Sequence, residues 1–336
     1  MKRHFNVVAR GLPARRLSMG LALLALAACA DEDATSPSQS IPAPTFARGG
    51  SGDNNGRILF ASYRDDSLAF ELYSMNPDGS GVTRLTNSAG EDLSPAWSPD
   101  GKRVAFVSTR HDSRGEIYVM NADGTGVTRL TNSAGPDLSP TWSKDGKQIA
   151  FVSSRSDSTG DIYTMNAADG SGVTRVTNSK GYDWDPAWSP DGKQIAFVSE
   201  RDGVGSGHTD LYVVTLDGLQ VTRLTSETAH VRYPSWAPGG KQIAFNTEID
   251  LKGDEDVLTR DIFVVDLDLM QVTRLTDGPG DETEDFDPSW SADGKYIAFA
   301  SRVAGNVDVY AMNANGSGRT RLTTNGRVDT SPAWNR

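Results

Sequence analysis

The residues best suited to bind a ligand are acidic and recur at one position. Aspartate stands three residues before a proline in five similar stretches: Asp92, Asp137, Asp183, Asp285 and Asp329. A sixth stretch has Val231 there instead. Carboxylate oxygens are hard ligands, so a converging set favours a cation such as Ca²⁺ or a cationic group. The alternative is local, because each aspartate could also accept hydrogen bonds from the loop that precedes it.

Aromatic residues near the same prolines differ from one copy to the next. They are Tyr182, Trp184, Tyr233 and Phe286, with Arg232 beside them. Trp184 is the only tryptophan outside a repeated position. It could stack on a ligand or anchor a partner protein. It could equally cover the junction between two structural units.

The chemistry of most enzyme classes is missing. Of the four histidines, His208 and His230 could approach each other, but the sequence assembles no metal cluster from them. Cys29 is the only cysteine, and neither a G-x-S-x-G motif nor a phosphate-binding loop occurs. We therefore expect a protein that is not an enzyme and has no resident cofactor, Ca²⁺ excepted. A carboxylate pair for glycoside chemistry stays open, because acidic residues are abundant.

A repeat positions these residues. Six tryptophans are spaced 45, 46, 48, 54 and 44 residues apart: Trp97, Trp142, Trp188, Trp236, Trp290 and Trp334. Each repeat contains four strand-like runs, such as "SPAW", "QIAFVS", "DIYTMN" and "VTRLT", separated by turns such as "SPDGK". Four short strands in 40 to 50 residues are typical of a propeller blade. The fold class is therefore all-β, a six-bladed β-propeller over residues 56–336.

The two ends of the chain complete one blade. The three outer strands occur six times from Arg57 onward, whereas the last inner strand, "SPAW", stands at the C-terminus. The first blade lacks an inner strand of its own. We predict that the C-terminal strand supplies it and closes the ring, which removes exposed sheet edges. The repeated tryptophan is expected to pack between blades.

The repeat resembles a known family. "P-x-W-S-P-D-G-K-x-I-A-F", "D-I-Y-x-M-N" and "T-R-L-T" are similar to the TolB-type propeller repeat, and the resemblance covers the chain after residue 56. It implies the propeller fold. TolB proteins are periplasmic, belong to the Tol–Pal system and carry an α/β domain before the propeller. Only a short tether precedes it here, so membership of that system does not carry over.

Blade topology predicts two unlike faces. The turns after the first and third strands are near-identical copies on one face. The loops after the second and fourth strands vary, and Glu200–Asp210, Asn246–Asp261 and Asp277–Asp287 are the longest. Binding residues usually lie on such loops. We expect the five repeated aspartates to ring the mouth of the central channel on this face, beside the aromatic residues.

Charged pairs recur as well. Five arginines end second strands and five acids begin the following strands: Arg64, Arg110, Arg155, Arg201 and Arg302, with Glu71, Glu116, Asp161, Asp210 and Asp308. We expect them to pair across hairpins at the surface, where a pair contributes about 0 to 1 kcal/mol. The arginine of "TRLT" is interpreted as an edge-strand charge that opposes aggregation.

The N-terminal segment has the features of a targeting signal. Five basic residues and the apolar run "LALLALAA" precede Cys29, and "LAAC" resembles the bacterial lipobox. The resemblance implies a signal over residues 1–28 and a lipid on Cys29, with Ala30 favouring the outer membrane. An ordinary secretion signal is the alternative. Residues 29–55 are rich in Ser, Pro, Ala and Gly and predict a flexible tether.

Charge and repeat together define the expected function. Without its first 28 residues, which hold five basic and no acidic residues, the formal charge of −11 becomes −16, which argues against nucleic acid. We expect a monomer, lipid-anchored in the envelope and facing the periplasm or the cell surface. Its loop face would bind or scaffold an envelope protein or peptide. The alternative is a propeller that binds or degrades polysaccharide at an acidic channel mouth.

Overall fold

Each blade is a four-stranded antiparallel sheet. The computed structural model describes residues 56–65, 69–156, 159–204, 207–226, 229–250, 258–277 and 283–335. The signal, Cys29 and the tether lie outside these residues. Within them the secondary structure consists of strands and turns, and no helix has the length and hydropathy needed to cross a bilayer.

The strands fall into four sets, ordered from the ring axis outward. The first, inner strands are β4 Asp92–Trp97, β8 Asp137–Trp142, β12 Asp183–Trp188, β16 Ala229–Trp236, β20 Glu284–Trp290 and β24 Asp329–Trp334. The second strands are β1 Ile58–Ser62, β5 Arg103–Ser108, β9 Gln148–Ser153, β13 Gln194–Ser199, β17 Gln242–Asp250 and β21 Tyr296–Val303. The third strands are β2 Glu71–Met75, β6 Glu116–Asn121, β10 Asp161–Asn166, β14 Asp210–Thr215, β18 Leu258–Asp266 and β22 Asn306–Asn313. The fourth, outer strands are β3 Thr83–Arg84, β7 Thr128–Arg129, β11 Thr174–Arg175, β15 Val221–Arg223, β19 Gln271–Arg274 and β23 Thr320–Arg321.

The predicted ring closure is confirmed. Blade 1 consists of β24, β1, β2 and β3, whereas blades 2 to 6 each take four consecutive strands from β4 to β23. Ile58 pairs with Trp334, and Asn335 N–H donates to the Arg57 carbonyl at 3.0 Å. Each inner strand contacts the inner strands of both neighbouring blades, including β24 with β4. The structure is therefore a six-bladed propeller closed by strands from both ends of the chain.

The core lies between blades. Second and third strands are nearly continuous apolar runs because both sheet faces are covered by neighbouring blades. Trp142 of blade 3 packs in one cluster with Ala105 and Val107 of blade 2, and its indole N–H donates to the Ala96 carbonyl at 3.1 Å. This confirms the inter-blade packing predicted for the repeated tryptophan.

Blade 5 departs from the others. Its second and third strands, β17 and β18, have nine residues each, and register continues to the pair Asp250 and Leu258. The prediction of a loop over Asn246–Asp261 is therefore wrong for most of that range. Polar residues suggested a loop, but here they belong to a hairpin that extends beyond the strands of the neighbouring blades.

Candidate functional site

The hairpins put the variable loops on one face, as the repeat predicts. Strands pair in chain order within blades 2 to 6, so the loops after second and fourth strands share the face where inner strands begin. We call this the loop face. The opposite face carries the short turns after first and third strands and is called the turn face. The repeated aspartates start inner strands and so lie toward the loop face.

A narrow channel of ≈ 140 Å³ runs at the centre of the ring. One residue and the following proline from each inner strand line it: Ser94–Pro95, Ser139–Pro140, Asp185–Pro186, Tyr233–Pro234, Asp287–Pro288 and Ser331–Pro332. The six blades therefore contribute equivalent backbone positions to the lining, but the side chains at these positions differ. Three serines occupy one side, and Asp185, Tyr233 and Asp287 occupy successive blades on the other.

A strand irregularity turns these residues toward the axis. The pairing of β12 with β13 shifts between Trp184 and Ala187, where Pro186 has no N–H to donate. The residue before each of these prolines has a positive φ, 50° for Asp185 and 55° for Asp287. Such a backbone is uncommon for residues other than glycine. The repeated bulge therefore places the side chain that precedes each proline at the axis.

Two carboxyl groups share this channel without a basic partner of their own. Burial raises the pKa of Asp185, and the Arg232 guanidinium only partly opposes this. Burial and the nearby Asp185 carboxylate raise the pKa of Asp287 to about 7. The hydroxyls of Thr330 and Ser331 donate to Asp287, both at 3.3 Å, while its Oδ1 accepts no hydrogen bond from the described residues. The pKa of the Tyr233 hydroxyl is raised chiefly by the Asp287 carboxylate.

Around the channel on the loop face lies a ring of half-buried side chains, one from each inner strand. We call it the rim, and it consists of Leu93, Leu138, Trp184, Arg232, Phe286 and Thr330. Each of these residues follows the repeated acidic position or its substitute. In blades 4, 5 and 6 the rim residue is aromatic or cationic, whereas blades 1, 2 and 3 have Thr330, Leu93 and Leu138 there.

Three predicted ligand-face residues form one stack. The Tyr182 and Trp184 rings lie 5.0 Å apart at 4°, and the Arg232 guanidinium carbon lies 4.4 Å from the Trp184 ring. We call this stack the aromatic shelf. Trp184 also packs against apolar clusters of two blade junctions, which is the covering role considered for it. Tyr233 follows Arg232 and is 44% exposed.

Arg232 differs from most other arginines of the structure. The arginines at the ends of second strands and in the outer strands hold carboxylates at salt-bridge distance, as Arg110 holds Asp92 and Arg129 holds Glu116. Arg232 has no such pair among the residues that the structure describes, and a tryptophan face supports it instead. Its guanidinium N–H groups therefore remain available at the rim.

The five repeated aspartates do not line the channel. Each is at most 1% exposed and is paired with an arginine of its own blade: Asp92 with Arg110, Asp137 with Arg155, Asp183 with Arg201, Asp285 with Arg319 and Asp329 with Arg64. The expectation that they ring the mouth is wrong, because the bulge turns the residue two positions later toward the axis. Their local role is to bind arginine.

The charged pairs also differ from expectation. Arginines at the ends of second strands reach inward to these aspartates, or to Glu284 for Arg302, instead of pairing with the third strand. The acids that begin third strands pair with the arginines of "TRLT", as Glu71 does with Arg84 and Asp308 with Arg321. These carboxylates are nearly fully buried, so the pairs belong to the blade interior and the outer-strand arginines are structural.

His208 and His230 do meet on the loop face. Their ring centroids lie 6.0 Å apart, edge to face, and His230 Nε2 lies 3.8 Å from Glu248 Oε2. Glu248 in turn accepts from Arg260 at 3.1 Å. Burial lowers the pKa of His230. Across the described part of the chain, no three His, Cys, Asp or Glu side chains are grouped to hold a metal.

Comparison with known proteins identifies the repeat. The model of the TolB beta propeller domain matches three times, over residues 94–177, 174–259 and 249–336. The chain belongs to the TolB β-propeller domain family. This confirms the resemblance that the motifs of the repeat indicate.

Solved TolB structures have the same fold as this family member. It matches TolB from Acinetobacter baumannii at 27% identity and a TM-score of 0.70, over 84% of this chain and 67% of that one. It matches the putative TolB of Agrobacterium tumefaciens at 22% identity and a TM-score of 0.62, over 83% and 97%. The second match shows the fold alone.

Curated relatives match over short segments only. A TolB homolog of Chlorobium chlorochromatii is 55% identical over 40 residues, which is 12% of this chain and 9% of the relative. The dipeptidyl-peptidase 5 of Porphyromonas gingivalis is 36% identical over 56 residues, or 17% and 8%. The chain thus spans a small part of these relatives' length. The shared repeat extends across proteins of different activity and does not assign one here.

Proposed function

We propose that this chain is a lipid-anchored protein of the cell envelope whose propeller binds a protein or peptide through the rim of the loop face. The aromatic shelf carries the proposal. Tyr182, Trp184 and Arg232 combine large rigid aromatic surface with a cation held in place by stacking, and these residue types dominate binding energy at protein interfaces.

The neighbouring residues fit the same role. Tyr233 and Phe286 lie on the neighbouring inner strands of blades 5 and 6, and Arg232 pairs with Asn246 of the long β17–β18 hairpin. The inner strands hold the backbone at these positions, which lowers the entropy lost on binding. A peptide or loop of a partner would lie across the rim with one side chain at the channel mouth. The TolB family resemblance and the lipobox support placement in the envelope.

The proposed role is non-catalytic. Asp185 and Asp287 have raised pKa values, which a glycoside-cleaving pair would also show. They lie, however, inside a channel of ≈ 140 Å³, whereas sites for small ligands usually measure about 300 to 1,000 Å³. A sugar ring would have to enter that space to reach both carboxyl groups. The geometry therefore favours partner binding over polysaccharide chemistry.

Quantitative capture from detergent-solubilised envelope tests the proposal. The parent protein, the Tyr233→Ser/Arg232→Ala variant and a Val127→Ser control on the outer edge would be compared by mass spectrometry. We expect the parent and the control to retain one or a few proteins. The rim variant should capture about 30-fold less of them, which corresponds to a loss of about 2 kcal/mol of binding free energy. Equal capture by all three would show that the rim does not bind the partner.

A further inference from the structure

The turn face is polar in four of the six blades. There the turn after the third strand begins with an asparagine whose amide donates to a serine or threonine hydroxyl, at 2.8 to 3.0 Å. These asparagines are Asn76, Asn121, Asn166 and Asn313. Such turns close a hairpin and present hydrophilic tips to water.

Blades 4 and 5 carry apolar tips instead. Leu219 and Met270 stand where blade 1 has Ser80, and Leu269 stands where it has Gly79. Their side chains are 51%, 54% and 71% exposed. Leu219 and Met270 also have a φ of 50°, a conformation that bulky residues rarely adopt. Two strained turns thus hold large apolar side chains out from the surface.

The two tips lie on the same face of neighbouring blades, at the turns that precede the outer strands β15 and β19. Val221 is the first residue of β15 and Val272 the second residue of β19, and they are 39% and 41% exposed. We call Leu219, Leu269 and Met270 the apolar turn patch. An exposed apolar group of this kind marks an interaction surface.

The described part of the propeller begins on the same face. Gly56 lies against Pro77 of the turn after β2, where an added Cβ would come within 2.9 Å of Pro77 Cγ. The 27 residues from Cys29 to Asn55 precede it. A flexible chain of that length has a root-mean-square span of roughly 30 Å. A lipid on Cys29 would therefore keep the turn face near the bilayer.

The charges around the patch restrict the kind of membrane. Lys241 Nζ lies 2.6 Å from Asp268 Oδ2, and the Asp266 carboxylate accepts from the backbone N–H groups of Asp268 and Leu269. Carboxylates thus outnumber amines next to the apolar tips. Polybasic segments bind anionic headgroups, whereas the surroundings of this patch are acidic and would repel them. A zwitterionic surface suits it best.

We propose that Leu219, Leu269 and Met270 insert into the headgroup region of the bilayer that holds the lipid anchor. The turn face then lies on the membrane and the rim points away from it, toward a partner. This inference rests on the proposed anchoring of Cys29. Side chains that bind weakly alone are effective here because the tether confines them near the surface.

Site-specific fluorescence tests the insertion. Leu269→Cys, carried by the lipidated full-length chain, would be labelled with a polarity-sensitive dye in vesicles of phosphatidylethanolamine and phosphatidylcholine. Cys29 is the only native cysteine, and the proposed acylation would block its thiol. Val204→Cys, 56% exposed on the loop face, is the matched site. Spin-labelled lipid should quench the dye at position 269 at least threefold more than at position 204. Equal quenching, or none at 269, would overturn the proposal.

Further measurements distinguish insertion of the apolar turn patch from self-association and from the effect of the lipid on Cys29. Leu219→Ser/Met270→Ser should reduce the quenching at position 269 severalfold, whereas Val82→Ser/Val127→Ser should not. Loss of self-association in the patch variant, with no quenching in the parent, would assign the patch to a second copy of the chain and overturn the membrane assignment. The mass of the N-terminal peptide reports the acyl groups separately. If Cys29 proves unacylated, the proposed anchor fails, and quenching of a Cys29→Ser/Leu269→Cys protein, labelled at position 269 alone and mixed with lipid at high concentration, still decides the docking.

Discussion

Arg110 joins the first two strands of blade 2 from inside the sheet. One of its guanidinium nitrogens donates to both carboxylate oxygens of Asp92, at 3.0 and 2.8 Å, and its Nε donates to Ser108 at 2.8 Å. The carboxylate is fully buried, and the arginine side chain is 18% exposed. Equivalent pairs occur in blades 1, 3 and 4, so the repeated aspartate is part of the blade and does not serve a ligand.

This pairing predicts an asymmetric response to mutation. Asp92→Asn should lower the free energy of unfolding by at most about 3 to 5 kcal/mol, the range for fully buried pairs, because the partly buried Arg110 loses its counter-charge. The double variant Asp92→Val/Arg110→Ile should recover most of that loss, because it copies Val231 and Ile249 of blade 5. Chemical denaturation measures both. A double variant less stable than Asp92→Asn would contradict the interpretation.

Calcium should not act through the repeated aspartates. Since Arg110 occupies the Asp92 carboxylate, added calcium should change the melting temperature of Asp92→Asn as much as that of the parent. Any calcium response should depend instead on Asp185 and Asp287, whose carboxyl groups face the channel. Thermal scans with calcium and with chelator distinguish the two. A response that Asp92→Asn alone removes would restore the first assignment.

Ring closure makes the C-terminal strand essential. Removing Ser331–Arg336 takes away most of β24 and the buried Trp334, which packs with Ile58. Loss of one large core side chain alone costs about 3 to 5 kcal/mol. We expect a large fall in melting temperature or a failure to fold, while removal of Arg336 alone should have little effect. Equal melting temperatures for the two truncations would refute closure by β24.

The channel carboxyl groups predict a pH-dependent stability. The pKa of Asp287 is about 7 in the folded protein and about 3.9 in an unfolded chain. Its raised folded value stabilises the fold below about pH 4, and this contribution is lost as pH rises to 7. Asp287→Asn should therefore match the parent at pH 4 and exceed it at pH 8, by at most about 4 kcal/mol. A difference that is the same at both pH values would exclude this cause.

Repetition explains how much of the fold the sequence predicts. Six copies of one motif specify strand order, turn positions and the tryptophan contacts, and the displaced "SPAW" locates the closing strand. The pairing of the repeated aspartates with the second-strand arginines could also have been predicted from the sequence. Blade 5 lacks both the repeated aspartate, replaced by Val231, and the second-strand arginine, replaced by Ile249. Two residues that disappear together are expected to be partners.

Other features depend on three-dimensional details that the repeat obscures. The bulge before each proline decides whether position 183 or position 185 faces the axis, and strand alternation does not distinguish two positions that share a face. Trp184, Arg232 and Phe286 each stand two residues before the repeated proline, but the stacking of Arg232 on Trp184 across two blades follows only from the structure. The β17–β18 hairpin looked like a loop because its outer part is polar. The shelf residues themselves were identified from their departure from the repeat.

Photo-cross-linking in intact cells tests the central claim most directly. A benzoyl-phenylalanine placed at position Tyr233 reports contacts at the rim, and one placed at Val127 reports contacts at the outer edge, where exposure is similar at 44% and 38%. We predict a discrete cross-linked protein adduct at position 233 that disappears with Arg232→Ala and is missing at position 127. Identical adduct patterns at the two positions, or none at the rim under conditions where position 127 cross-links, would contradict partner binding by this face.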